Sequence, residues 1–181
     1  MSTGKIPNLK DAAAGWNMIP NLIWTALFLL PVYIYCQSRM PLKPALTMLA
    51  LSLIPLFLPN SFFTMIQLSK RPAFYECLGI RFINIFAQNG TLINRRLRKK
   101  YPQLKAAAAT RTSMRKVYHQ TFLFEKFHFS LFLFTTAITA FSVARHQLVW
   151  AVTLCVCNLF YNIFPNLLQQ YIRAKLNPLM Q

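Results

Sequence analysis

Apolar residues fall in blocks along this chain. Residues 19–36, 45–58, 127–144 and 147–164 are almost free of charge, and each approaches the roughly 20 residues a helix needs to cross a ~30 Å hydrocarbon layer. A soluble core would instead interleave polar positions with helical or alternating periodicity. The pattern predicts an all-α integral membrane protein, a single membrane domain over residues 1–181. About four transmembrane helices are expected, at about 18–37, 45–68, 127–144 and 147–165. Pro55 and Pro59 interrupt the second segment, so a bend is expected near Pro55, where proline removes a donor and frees carbonyls. All four glycines, Gly4, Gly15, Gly79 and Gly90, lie outside the segments, which excludes close helix approach through G-x-x-x-G.

Between the second and third segments, residues 69–126 are polar, basic and amphipathic. Phe74, Leu78, Phe82, Ile85 and Phe86 recur at helical spacing, which predicts a helix lying in the membrane interface. Gln88, Asn89 and Gly90 read as the turn that ends it, and residues 101–109 as linker or exposed helix.

Charge sharpens the picture. The chain has 20 Lys and Arg against three acids, Asp11, Glu76 and Glu125. Thirteen of the basic residues lie in 69–126. With the N- and C-termini in the cytoplasm, seventeen of the twenty fall on the inner side of a multi-pass cell-membrane protein, as the positive-inside rule requires. Anionic lipid headgroups are therefore the expected electrostatic partner, and nucleic acid is not. Cys36, Cys77, Cys155 and Cys157 form no C-x-x-C pair and read as small hydrophobes rather than ligands. The apolar run after Lys5 and Lys10 lacks a small-residue cleavage pattern and reads as a retained anchor.

Candidate chemistry follows from scarcity. Ionisable groups at membrane depth are costly and mark function by default, and Glu125-Lys126-Phe127-His128 stands at the mouth of the third segment. Three apart on a helix, Glu125 and His128 share a face; a carboxylate beside an imidazole fixes its tautomer, which suits a general base. An alternative is two interfacial groups bonded to headgroups or water. Glu76 has an equally plain alternative, as a neighbour for Arg81. Asn158, Asn162 and Gln169, leading to Tyr171 and Arg173, place amides along the fourth segment, either bridging helices or walling a polar site.

These residues also carry a resemblance. The run Asn162-x-x-Pro165-x-x-x-Gln169-Gln170-Tyr171-Ile172-Arg173-Ala174-Lys175-Leu176 is similar to the Asn-x-x-Pro-x-x-x-Gln-Arg-Tyr-Asn-Arg-x-Arg-Leu signature of the glycosyl-4,4'-diaponeurosporenoate acyltransferase family of carotenoid biosynthesis. Glu125-x-x-His128 matches that family's Glu-x-x-His, and Tyr75-Glu76 with Leu78-Gly79-Ile80-Arg81 resembles its upstream segment. The resemblance covers roughly residues 60–176 and departs at Gln170, Ile172 and Lys175, where the family carries Arg, Asn and Arg. It implies transfer of a fatty acyl group from a CoA- or carrier-linked donor to a hydroxyl of a membrane-embedded, glycosylated lipid acceptor.

On that reading His128, oriented by Glu125, is the base, with Glu76 as a further catalytic candidate. Asn162 and Gln169 donate to the oxyanion. Asn158, Tyr171, Arg173, Arg81, Arg95 and Arg96 complete the binding groups, and the cluster at residues 95–100 draws the donor's phosphates. No Ser or Cys elbow suggests a covalent acyl-enzyme, so direct transfer is expected, without a cofactor. Two alternatives stand beside it. One is a non-catalytic membrane subunit or lipid-binding scaffold; the other is a metal enzyme using Glu76, Glu125, His128 and His119, since Glu-x-x-His also serves di-iron bundles.

Overall fold

The computed structural model of the chain describes residues 9–86 and 111–180, and every regular element among them is helical. Helix α1 spans Leu9–Arg39. After a two-residue break the chain turns into α2, Leu42–Ser52, a 3-10 turn at Ile54–Phe57, and α3, Asn60–Met65. Helices α4, Pro72–Cys77, and α5, Ile80–Phe86, follow. The long α6 covers Arg111–Ala144. A short turn leads to α7, Leu148–Asn158, which runs through a π-helical turn at Leu159–Ile163 into α8, Phe164–Met180.

Three of these stretches are long and apolar enough to cross a membrane: 21–39 within α1, α6, and the continuous helix from α7 through α8. Their outer faces carry the large apolar side chains that a soluble protein would bury. Leu22, Ile23 and Leu27 of α1 and Val149 and Val152 of α7 are all exposed, an arrangement that suits contact with lipid.

The expected second crossing, 45–68, is not one helix. It is divided into three short pieces, and only the stretch from Leu42 to Phe57 is apolar over more than ten residues. Proline is the cause. Pro55 sits in the first turn of the 3-10 piece and Pro59 caps α3 from an extended conformation; neither can donate to a helical ladder. The bend expected near Pro55 is present, but it ends the helix instead of kinking it.

The interfacial helix expected from Phe74 to Phe86 is likewise divided. Gly79 adopts a left-handed φ of 75° between α4 and α5, a conformation that glycine takes without steric cost. The pair packs on α8 through Tyr75 and Ile80, which are fully buried with Leu168, Tyr171 and Ala174. The turn at 88–90 and the segment 101–109 lie outside the described residues.

The packing core lies between α1, α2, α6 and α7. Val32, Tyr35 and Met40 close on Ile138, Leu154 and Cys157, with Phe134, Phe141 and Trp150 packed around them. Between α6 and α7, His146 takes a φ of 56° while the Gln147 N–H reaches the Ser142 carbonyl at 2.9 Å. This is the left-handed closure that satisfies a helix's last carbonyls, and it lays α7 and α8 back along α6.

Candidate functional site

Two buried polar clusters stand side by side where α6 faces α8 and the π-helical turn. Each is anchored by one residue of the Glu-x-x-His pair.

The first is built on Glu125, which is 1% exposed. One carboxylate oxygen, Oε2, is ion-paired with Nη1 of Arg173, itself 1% exposed. The other, Oε1, accepts from Gln170 Nε2 at 2.8 Å. Arg173 also donates from Nε to Gln67 Oε1 at 3.3 Å and from Nη2 to the Phe63 carbonyl at 3.4 Å, and its guanidinium lies 4.4 Å from the Phe122 ring centroid. Gln170 Oε1 accepts from the Leu68 N–H at 3.2 Å and the Tyr75 hydroxyl at 3.1 Å. The Tyr75 oxygen also accepts the Ser69 N–H at 3.0 Å. Burial pushes the Tyr75 phenol above its ordinary pKa, against the opposing effect of its bond to Ser69. An uncompensated ion here would cost several kcal/mol; the network removes that cost by joining α6, α8, α4 and the 63–69 connection.

The second cluster is built on the π-helical turn. In a regular helix the N–H at 165 would bond the Tyr161 carbonyl, but Pro165 has no N–H. The Phe164 N–H reaches back five residues to the Leu159 carbonyl, and the Tyr161 carbonyl is left for another donor. His128 lies beside that carbonyl and beside the Asn162 amide, its ring edge-on to Tyr161 with centroids 5.7 Å apart. The Tyr161 hydroxyl is 3.0 Å from that of Thr25, which brings α1 to the site. Asn162 commits its amide hydrogens to Asn158 Oδ1 at 2.8 Å and Thr135 Oγ1 at 3.5 Å. Asn158 in turn donates to Thr136 Oγ1 at 3.0 Å and the Phe132 carbonyl at 3.4 Å. Two buried atoms of the cluster have no hydrogen-bond partner, His128 Nδ1 and Asn162 Oδ1. Such atoms cost about 1–3 kcal/mol each when left unsatisfied.

Several expectations change. Glu125 does not orient His128: both of its oxygens are taken by α8, and the two side chains diverge toward different parts of the α7–α8 helix. Asn162 is no oxyanion donor, because its hydrogens are consumed and only its acceptor is open. Gln169 is half-buried and takes no part in either network. Glu76 bonds to other partners than Glu125 does, accepting from the Tyr171 hydroxyl at 2.7 Å and lying 3.6 Å from Lys175. The Tyr171 bond holds the Glu76 carboxyl below its ordinary pKa, with Lys175 and the exposed Arg81 adding to it. Arg95, Arg96 and the rest of the cluster at 95–100 lie outside the described residues. The alternative metal site is not assembled, since among the described residues no three of His, Cys, Asp and Glu gather.

Gln170, Gln67, Tyr75 and Tyr161 were missed as site residues. Gln170 was visible only as a departure from a signature, and Gln67 as a lone amide after an apolar run. The signal for Tyr161 was Pro165, four residues on. Against known proteins, a family model described as glycosyl-4,4'-diaponeurosporenoate acyltransferase matches residues 59–181, about two-thirds of the chain and the stretch that holds both clusters except Thr25. No curated protein and no solved structure matches the chain.

Proposed function

The chain belongs to the glycosyl-4,4'-diaponeurosporenoate acyltransferase family, and from that premise we propose that it transfers a fatty acyl group directly to a hydroxyl of a membrane-embedded, glycosylated lipid. Membership supports an acyltransferase role in carotenoid biosynthesis, which requires an acyl donor and an acceptor. The observation that carries the residue assignment is the His128 ring, seated between a proline-freed carbonyl and an unsatisfied amide oxygen.

Nδ1 is buried and makes no hydrogen bond, and the Tyr161 carbonyl and Asn162 Oδ1 beside the ring are both acceptors, so a proton on Nδ1 of the neutral imidazole is the form this pocket favours. That leaves Nε2 as the base, and Asn162 takes the tautomer-fixing part expected of Glu125. Nε2 removes the acceptor's hydroxyl proton as its oxygen attacks the donor's acyl carbon. When the bond to the donor's carrier breaks, the same proton passes from His128 to the departing group. Glu125 and Arg173 position α8 and the π-helical turn against α6 and are not in the proton path. The open amide donors of an oxyanion hole are not supplied by Asn162.

The test uses membranes carrying the full chain, a glycosylated carotenoid acid and a fatty acyl donor, with the acylated product followed by mass spectrometry. His128→Ala lowers turnover about 10²–10⁴-fold, the usual contribution of a general base, with normal membrane insertion. Unchanged acyl transfer in that variant overturns the assignment.

A further inference from the structure

A second feature lies on α6, away from both clusters. A cleft of about 460 Å³ is lined, among the described residues, by Arg111, Arg115, Tyr118 and His119. These positions fall on one face over just over two turns, and Arg111 and Arg115, four apart, place their Cβ atoms about 5–6 Å from each other. Each of these four side chains offers a hydrogen-bond donor. Two guanidinium charges with a phenol and an imidazole match the oxygens of a phosphate pair.

The position of the cleft decides between a lipid headgroup and a soluble ligand. The 34-residue α6 is about 51 Å long at 1.5 Å per residue, against ~30 Å of hydrocarbon. Its charge-free portion, 127–144, occupies the membrane and Lys126 closes it. His119 therefore stands about 12 Å beyond the boundary at Phe127, and Arg111 about 24 Å. A 40° tilt reduces these heights only to about 9 and 18 Å. The headgroup layer is about 5–8 Å deep on each side, so the cleft opens into water above it.

We propose that this cleft binds the pyrophosphate of a water-soluble carrier molecule. If the proposed acyl transfer is right, that molecule is the acyl donor, and the identity of the ligand rests on that reading. Ring contacts connect the lining to the first cluster. The Tyr118 ring packs edge-on to Phe122 at 5.4 Å, and Phe122 carries the Arg173 guanidinium on its face. Donor phosphates held here stand outside the bilayer while the acceptor stays within it.

The experiment is calorimetric titration of inorganic pyrophosphate into the full chain in zwitterionic nanodiscs. The wild type, Arg115→Gln, Arg111→Gln and, as a control at the far end of α6, Arg145→Gln are compared, and anionic vesicles are tested separately. Pyrophosphate binds the wild type and weakens with added salt. Each lining variant loses about tenfold or more in affinity, the scale of one charge-assisted pair, while the control is unchanged. Three results overturn the site: no pyrophosphate binding, equal loss in the control, or Arg115-dependent binding to anionic vesicles alone. The catalytic reading is judged separately. Pyrophosphate binding with transfer intact in His128→Ala removes the base and keeps the cleft; loss of transfer in that variant without pyrophosphate binding does the reverse.

Discussion

Removing the guanidinium at position 173 tests the buried network most directly. In Arg173→Met, Glu125 keeps a single donor, Gln170 Nε2, in a site where it is 1% exposed. Breaking a buried pair from one side costs about 3–5 kcal/mol, because the remaining charge is stranded. Here the loss also includes the bonds to Gln67 and Phe63 and the Phe122 ring contact, which places Arg173→Met at the upper end.

Glu125→Gln is milder. The neutral side chain leaves the Arg173 charge without its counter-ion but still offers it one oxygen, so its cost lies between the ~1.5–3 kcal/mol of a hydrogen bond to a charged group and the ~3–5 kcal/mol of a pair broken outright. The double variant Glu125→Gln/Arg173→Met leaves no charge in the pocket and recovers part of the larger loss, so the cycle shows positive coupling. Equilibrium unfolding of the full chain in mixed micelles measures all four proteins. The reasoning fails if Arg173→Met costs under about 1 kcal/mol, the range of an exposed pair, or if the double variant is less stable than Arg173→Met.

Other consequences are open to measurement. Pro165→Ala returns an N–H to the Tyr161 carbonyl and competes with His128 for it, so kcat for acyl transfer falls about tenfold, one hydrogen bond's worth, with KM little changed. Tyr75→Phe removes a donor from Gln170 Oε1 and an acceptor from the Ser69 N–H, and costs about 1–3 kcal/mol in the same unfolding assay. Glu76 has a folded pKa below its ordinary value of 4.5, so its bond to Tyr171 stabilises α4 on α8 fully above that value. The contribution is lost as pH falls through the lowered folded pKa. Proteolytic nicking near α4 therefore rises on acidification in the wild type, and Glu76→Gln abolishes that pH dependence.

The chain's own pattern was enough to mark helices long and apolar enough to cross a membrane. Length and the absence of charge suffice to mark a helix that lipid can surround, because satisfaction of the backbone inside hydrocarbon leaves few alternatives. Prolines at 55 and 59 announced a break in the second segment, but not that it would end the helix. The proposed four crossings depended on treating that segment as continuous. Scarcity and signature together pointed to Glu125, His128, Asn162 and Arg173, and all four are in the two clusters.

Partnership was not legible, because it depends on residues far apart in the chain. Glu125 and His128 share a helical face, and local spacing alone pairs them; Arg173 lies 48 positions away and offers a full opposite charge, a stronger partner than a neutral ring. Likewise, Pro165 shows in the sequence that the Tyr161 carbonyl is freed, since the missing N–H is a local property. That His128 is the side chain beside that carbonyl follows only from how α6 packs on the π-helical turn.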